Sequence, residues 1–302
     1  MSIQMAVIAA LLRTRKKNTE SAESIDARVK RERVDAPPTA EVLRLAKVTR
    51  STVEGFDVLR VVPKDSVRQD EAAELTIVYL HGGAYTGPII NPHWSIIAEL
   101  VKRTGATVIV PKYGLAPEHT YLDAYKLIDA VYAGVSGSQV FLAGDSAGGA
   151  LAVGEAMRIR DAGGRAPDGL ILFSPWVDAT MSNSDIQRLL PRDPLLGPVG
   201  LEIAGEWWAG EDEARTPLVS PLFGTLTGLP PIHIYQGGRD ILAPDAKLFA
   251  HKVRAGGGEA DLQFYPNAIH VWVGVPWLPE SRRALSDVAA VLTGMPRGAR
   301  NR

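Results

Sequence analysis

A serine hydroxyl attacks a carbonyl carbon only when a base removes its proton and donors receive the charge that develops on the oxygen. One serine of this 302-residue chain stands where both could be arranged: Ser146, in Gly144-Asp145-Ser146-Ala147-Gly148-Gly149. The motif follows a continuous apolar run at 140–143 and leads into residues of helical character at 147–162. G-x-S-x-G between a strand and a helix predicts a sharp, strained turn that presents the hydroxyl, with glycines where the backbone passes close. The helix N-terminus behind the serine favours negative charge on the reacting oxygens. A second motif, His81-Gly82-Gly83-Ala84, follows the apolar run at 75–80. Glycines in such a loop let backbone N–H groups reach an oxyanion unobstructed. His81 belongs to this loop and is expected to orient it by hydrogen bonding, not to serve as the base.

The base must come from six histidines: His81, His93, His119, His233, His251 and His270. Where a serine sits on an elbow of this kind, the acid and then the histidine follow it in the chain, which removes the first three. His233 falls inside an apolar strand and His251 inside a helix. His270 lies in a loop after the strand-like residues 260–265, at the C-terminal end of a late strand, where α/β active sites form. For the carboxylate that orients it, Asp240 in Gly237-Gly238-Arg239-Asp240-Ile241-Leu242 is preferred to Asp245. Asp245 opens the next helix, where acidic residues are common for electrostatic reasons. Asp178 reads as structural. Ser146, His270 and Asp240 then form a nucleophile, base and orienter that need no metal and no organic cofactor.

These residues need a rigid frame, and the hydrophobic pattern supplies one. Continuous apolar runs at 75–80, 106–110, 140–143, 169–173 and 232–235 predict strands buried on both faces. Helical stretches at 94–104, 121–133, 147–162, 243–255 and 281–293 alternate with them. The fold class is α/β, with a mostly parallel sheet, right-handed crossovers and flanking helices. Residues 48–54 and 56–62 predict an antiparallel pair turning at Gly55. Two segments stand outside this alternation. Residues 1–47 are helical and charged, broken by Pro37-Pro38. Residues 179–217 hold two proline-punctuated helical pieces and the pair Trp207-Trp208. Together they are expected to cap a catalytic domain spanning 48–302.

Composition narrows the partners. Lys plus Arg number 33 against 34 Asp plus Glu, a net charge of -1, so nothing points to nucleic acid. No cysteine is present, which excludes disulfides, thiolate metal sites and a cysteine nucleophile. The apolar run at 5–12 is too short to span a bilayer. Its positive charges, Arg13, Arg15, Lys16 and Lys17, follow it, the reverse of a secretory signal, so a cytoplasmic protein without a stable membrane anchor is expected. Residues 1–50 hold 11 Lys or Arg and 6 Asp or Glu. A solvated amphipathic surface is the reading preferred there over weak association with acidic membranes. A homodimer is compatible with the sequence.

The chain resembles the hormone-sensitive-lipase-like branch of the α/β-hydrolases, which includes many bacterial carboxylesterases. The resemblance spans roughly 48–295. It rests on His81-Gly82-Gly83-Ala84-Tyr85, Tyr113-Gly114-Leu115-Ala116-Pro117-Glu118-His119, residues 144–149, Ser174-Pro175-Trp176, Gly238-Arg239-Asp240-Ile241-Leu242 and His270. It implies an α/β-hydrolase fold with a helical cap, the roles already given to Ser146, Asp240 and His270, and an oxyanion hole of backbone N–H groups from Gly82, Gly83, Ala84 and Ala147. Two positions depart from the family pattern. Ala84 stands where a third glycine is usual, and Val271-Trp272 follows the histidine where glycine is common. Glu118 is read as structural. Tyr85, Trp207, Trp208 and Trp272 are candidates for a substrate pocket that suits short acyl chains. The expected activity is hydrolysis of a small-molecule carboxylic ester. A lactone or amide hydrolase, or a deacetylase, would use the same machinery. A ligand receptor on the same fold would have lost the triad, which is intact here.

Overall fold

Five strands buried along nearly their whole length form the centre of the molecule: β3 (Leu75–Leu80), β4 (Thr107–Pro111), β5 (Gln139–Asp145), β6 (Gly169–Phe173) and β7 (Ile232–Gly237). They belong to an eight-stranded sheet in a computed structural model that describes residues 2–14, 17, 19–64 and 75–295. Arg15 and Lys16 of the N-terminal basic run lie outside the described residues. The strand order is β1-β2-β4-β3-β5-β6-β7-β8, with β1 (Ala46–Val53), β2 (Phe56–Pro63) and β8 (Ala260–Tyr265) completing the sheet. Only the β1–β2 and β2–β4 pairs are antiparallel. The first is a hairpin that turns at Glu54 and Gly55, both at positive φ. β1 is largely exposed and carries Lys47 and Arg50, charges that blunt an edge strand against further pairing.

Helices cover both faces of the sheet. One core layer holds α5 (Tyr121–Ala133), α6 (Ala147–Asp161) and α9 (Ala243–Ala255). The other holds α4 (Asn91–Thr104) and α10 (Pro279–Leu292). Nearly every helix and strand lies within two or three residues of its sequence-derived range. Each crossover returns the chain to the same end of the sheet, so the loops after β3, β5, β7 and β8 gather there.

The two segments outside the alternation add helices that pack into both core layers, and the N-terminal one is divided between them. The insertion between β6 and β7 carries α7 (Ile186–Leu189) and α8 (Pro198–Ala209). In the N-terminal segment, α1 (Ile3–Arg13) buries Met5 and Ala9 in the same layer as α10, and Ser2 donates from its backbone N and its Oγ to the Glu280 carboxylate. Its second helix, α2 (Ala22–Val29), packs instead on α8. Gly197 and Gly200 allow that approach. A Cβ on Gly200 would stand 2.6 Å from Thr19 Cα, and one on Gly197 2.5 Å from the Thr19 carbonyl oxygen. A third helix, α3 (Ala40–Leu45), then leads into β1. Among the described residues no helix is long and apolar enough to cross a membrane.

Candidate active site

The serine elbow is strained as its motif predicts. Ser146 stands at φ 53°, ψ -120° between β5 and α6. That backbone region is costly for a residue with a β-carbon and persists only where its surroundings hold it. Here Ser146 N donates to the Phe173 carbonyl at 2.9 Å, and the Ser146 carbonyl accepts from Trp176 N at 2.9 Å. The glycines are required by contact. A Cβ on Gly148 would lie 1.9 Å from the Leu80 carbonyl oxygen, and one on Gly144 2.2 Å from that of Gly148.

The loops after β7 and β8 bring Asp240 and His270 to this serine. His270 Nε2 lies 3.0 Å from Ser146 Oγ, and His270 Nδ1 lies 2.8 Å from Asp240 Oδ2. Asp240 is fully buried, and both of its oxygens have further donors. Leu242 N donates to Oδ1 and Gln236 Nε2 to Oδ2, each at 2.9 Å. Burial disfavours the charged imidazolium, but the Asp240 carboxylate outweighs it and holds the His270 pKa above its ordinary value. The close approach of the two loops depends on Gly237 and Gly238. A Cβ on either would meet the Ala268 or Pro266 carbonyl oxygen within about 2.6 Å.

Asp245, the rival acid, takes no part in this arrangement. Its Oδ1 accepts from Asn183 Nδ2 at 2.7 Å, and burial lifts its carboxyl to about 6. Asp178 accepts hydrogen bonds from Thr180 and Ser182, a local turn that fits its structural reading. His119 lies beside Asp123 on the surface, and His251 is exposed on α9. His233 is in β7, with Asp261 of β8 3.9 Å away.

The glycine loop after β3 is held from beneath by Asp145, the residue before the nucleophile. Its Oδ1 accepts from Tyr79 Oη at 2.5 Å and from Gly82 N at 3.0 Å, and its Oδ2 faces His93 Nε2 at 3.5 Å. Burial would raise this carboxyl, but His93 and Tyr79 together hold it below the ordinary value, so it stays charged. The Gly82 N–H is therefore committed to Asp145, which removes it from the expected oxyanion donors. Gly83, Ala84 and Ala147 remain, and among the described residues none of their N–H groups donates a hydrogen bond. Gly83 stands at φ 120° and Ala84 at φ 53°, so alanine occupies a left-handed position that favours glycine. His81 Nδ1 donates to the Gly82 carbonyl at 2.7 Å, and its ring stacks on Tyr113 at 4.5 Å. Burial first, and His93 second, push its pKa down to about 4. It is a neutral brace for the loop.

The aromatic candidates part company. Tyr85 stacks on Trp208 with centroids 4.3 Å apart and planes within 3°. Trp176 adds a third ring 5.2 Å from Tyr85. Trp208 is fully buried in this stack beside the glycine loop, while its neighbour Trp207 is half-buried against the same core. Trp272 lies apart from this stack. The turn after His270 sends it into the opposite core layer, fully buried and 4.8 Å from Tyr265.

One residue at this site escaped the sequence reading. Asp193, in the inserted segment, is 2% exposed and accepts from Leu195 N at 2.8 Å, Leu196 N at 3.0 Å and Ile241 N at 2.8 Å. It joins the insertion to the turn that carries Asp240. Burial, and then the nearby Asp240 charge, raise its carboxyl to about 6. The Arg192-Asp193-Pro194 run carried no catalytic signature, because the partner is 48 residues away.

The chain is similar to known hydrolases. A profile of the alpha/beta hydrolase fold matches residues 77–274. An esterase of Acinetobacter venetianus is 31% identical over 241 residues, 76% of this chain and 78% of its own. An acetyl-hydrolase of Streptomyces hygroscopicus is 34% identical over 223 residues, 72% and 75% of the two chains. The crystal structure of a hormone-sensitive lipase from a metagenome library superposes with a TM-score of 0.78 at 25% identity, covering 97% of this chain and 98% of that one. The chain thus belongs to the alpha/beta hydrolase fold family, in its hormone-sensitive-lipase-like branch.

Proposed function

We propose that the protein is a carboxylesterase that cleaves short-acyl esters through a covalent acyl-enzyme on Ser146. The observation that carries the proposal is the unbroken chain from Ser146 Oγ through His270 to buried Asp240, at 3.0 Å and 2.8 Å. His270 Nε2 takes the hydroxyl proton as Oγ attacks the ester carbonyl. Asp240 fixes the tautomer with the proton on Nδ1 and stabilises the imidazolium that forms. Charge on the carbonyl oxygen is received by the N–H groups of Gly83, Ala84 and Ala147, with the N-terminus of α6 behind them. His270 then protonates the leaving alcohol, and water repeats the cycle on the acyl-enzyme.

Two observations support short acyl groups. Ser146 is 6% exposed, so substrate reaches it through a narrow opening. The rings of Tyr85, Trp208 and Trp176 close the space behind the oxyanion loop. Each methylene that finds room adds ~0.8 kcal/mol of transfer free energy, and carbons beyond the pocket add nothing or strain the cap. The N-terminal helix α2 and the insertion 179–217 are read as that cap. The Streptomyces hygroscopicus relative, an acetyl-hydrolase, favours a second reading with the same machinery: removal of acetyl groups from a larger metabolite. The test is kcat/KM for the p-nitrophenyl acetate, butyrate, octanoate and laurate esters below their micellar limits. A maximum at acetate or butyrate is expected. A maximum at laurate would overturn the short-acyl reading.

A further inference from the structure

Among the described residues, Arg28 is the one residue of α2 that reaches the oxyanion loop by a hydrogen bond. Its Nη2 donates to the Gly83 carbonyl oxygen at 2.9 Å. The guanidinium fills a notch left by a glycine, since a Cβ on Gly87 would stand 1.9 Å from Nη2 and 3.0 Å from Cζ. Among the described ion pairs, no carboxylate neutralises it, whereas Arg33, five residues on, pairs with Glu118 and donates to the Ala116 carbonyl at 2.7 Å. Placing a guanidinium against a carbonyl in a partly buried notch costs desolvation that an ion pair would have offset. A structural tether between α2 and the loop could have been made by a neutral donor.

The Gly83 carbonyl belongs to the same planar peptide unit as the Ala84 N–H, and the two point in opposite directions. A cation donating to that oxygen draws electron density out of the amide and makes the Ala84 N–H a stronger donor. It also fixes the plane of a peptide whose following residue, Ala84, is held at φ 53°. The Gly83 oxygen accepts in addition from Gly87 N at 2.9 Å and Thr86 N at 3.2 Å, so the peptide is locked on its far side by several donors, of which Arg28 alone is charged. Resting on the esterase reading above, we infer that Arg28 is a positioning residue that acts through the Gly83–Ala84 peptide to aim and strengthen the Ala84 oxyanion donor. In this way the N-terminal segment completes the catalytic site without touching substrate.

The test uses the full-length enzyme and p-nitrophenyl acetate. Loss of a complete oxyanion donor lowers kcat on the order of 10²–10³. Weakening one through its own peptide should therefore lower kcat of Arg28→Ala by roughly 10–50-fold, with KM within about threefold. Guanidinium chloride at low millimolar concentration should restore part of the lost kcat, where the same concentration of sodium chloride does not. Affinity for a trifluoromethyl ketone, which forms a tetrahedral adduct on Ser146, should fall in proportion to kcat/KM. Gly87→Ala, which would displace Nη2 while leaving the arginine in place, should reproduce the loss and add nothing to Arg28→Ala in the double variant. Arg28→Lys keeps the charge and should retain more activity than Arg28→Ala. The inference is overturned if Arg28→Ala retains wild-type kcat, if its deficit lies in KM alone, or if guanidinium gives no rescue and the two substitutions are additive. Should Arg28→Ala fail to fold, Gly87→Ala and Arg28→Lys carry the same test. Fluorophosphonate labelling of wild-type Ser146 separates the two levels. A labelled, active wild type with an unaffected Arg28→Ala sinks only this inference, whereas an unlabelled and inactive wild type sinks the esterase reading itself.

Discussion

Replacing Asp240 by asparagine separates an orienting carboxylate from a merely buried one. The surroundings leave the amide no good arrangement. With its oxygen at the Oδ2 position, the new side chain would accept from His270 Nδ1 and Gln236 Nε2 as the carboxylate does, but its NH2 would face the Leu242 N–H, which now donates to Oδ1 at 2.9 Å. With its oxygen at Oδ1, the NH2 would face Gln236 Nε2 and His270 Nδ1, and the imidazole would turn its proton to Nε2, against Ser146 Oγ. The first arrangement sets two buried donors against each other, and the second leaves no lone pair to act as base. Both lose the negative charge that stabilises the imidazolium. We therefore expect kcat to fall on the order of 10³–10⁴, a barrier increase of about 4–5.5 kcal/mol. Asp245→Asn removes a buried carboxylate that touches Asn183 and none of the triad, and should stay within about threefold of wild type. The assay is kcat on p-nitrophenyl acetate for the two variants side by side, with circular dichroism to show that both are folded. A kcat for Asp240→Asn within tenfold of wild type, or a larger loss in Asp245→Asn, would refute the assignment of the acid.

Other expectations follow from the same geometry. Only neutral imidazole can act as base, and His270 is raised by Asp240 against the effect of burial, so kcat/KM should be lost as pH falls, with a midpoint above the ordinary value of about 6.5. Removing an anion near His270 should move that midpoint down. Asp193→Asn, which also weakens the acceptor for Ile241 N, should therefore shift the ascending limb to lower pH and cut kcat roughly threefold to tenfold; an unmoved limb would limit Asp193 to tethering the insertion. Gly148→Ala forces a Cβ to 1.9 Å from the Leu80 carbonyl and should destabilise the fold by about 3 kcal/mol or more in urea unfolding. The triad itself supplies nucleophile and base, so EDTA should leave turnover unchanged, and inhibition reversed by added zinc would contradict the mechanism.

The constellation of Ser146, His270 and Asp240 was legible because each residue sits on a local signal. Glycines flank Ser146 and precede Asp240, and His270 follows the last strand. Strands buried on both faces also announce themselves, since 75–80 or 169–173 tolerate almost no polar residue. The pocket was less legible. Tryptophan reports burial but not which layer receives it, so Trp208 and Trp272 look alike in sequence yet lie on opposite faces of the sheet. The count of oxyanion donors needed coordinates as well. Four N–H groups were candidates, and only the tertiary contact between Gly82 and Asp145, 63 residues apart, shows that one is already bonded. Arg28 and Asp193 were invisible for the same reason, because their partners are 55 and 48 residues away and no spacing rule links them.

The proposed reaction turns on a covalent acyl group at Ser146, which intact-protein mass spectrometry would detect. The enzyme would be quenched in acid within milliseconds of mixing with p-nitrophenyl butyrate. A butyryl mass increment is expected on a large fraction of the protein, mapped by peptide digestion to Ser146 and absent from Ser146→Ala. An unmodified wild-type protein that still releases p-nitrophenol, or an adduct on any other residue that persists in Ser146→Ala, would contradict it.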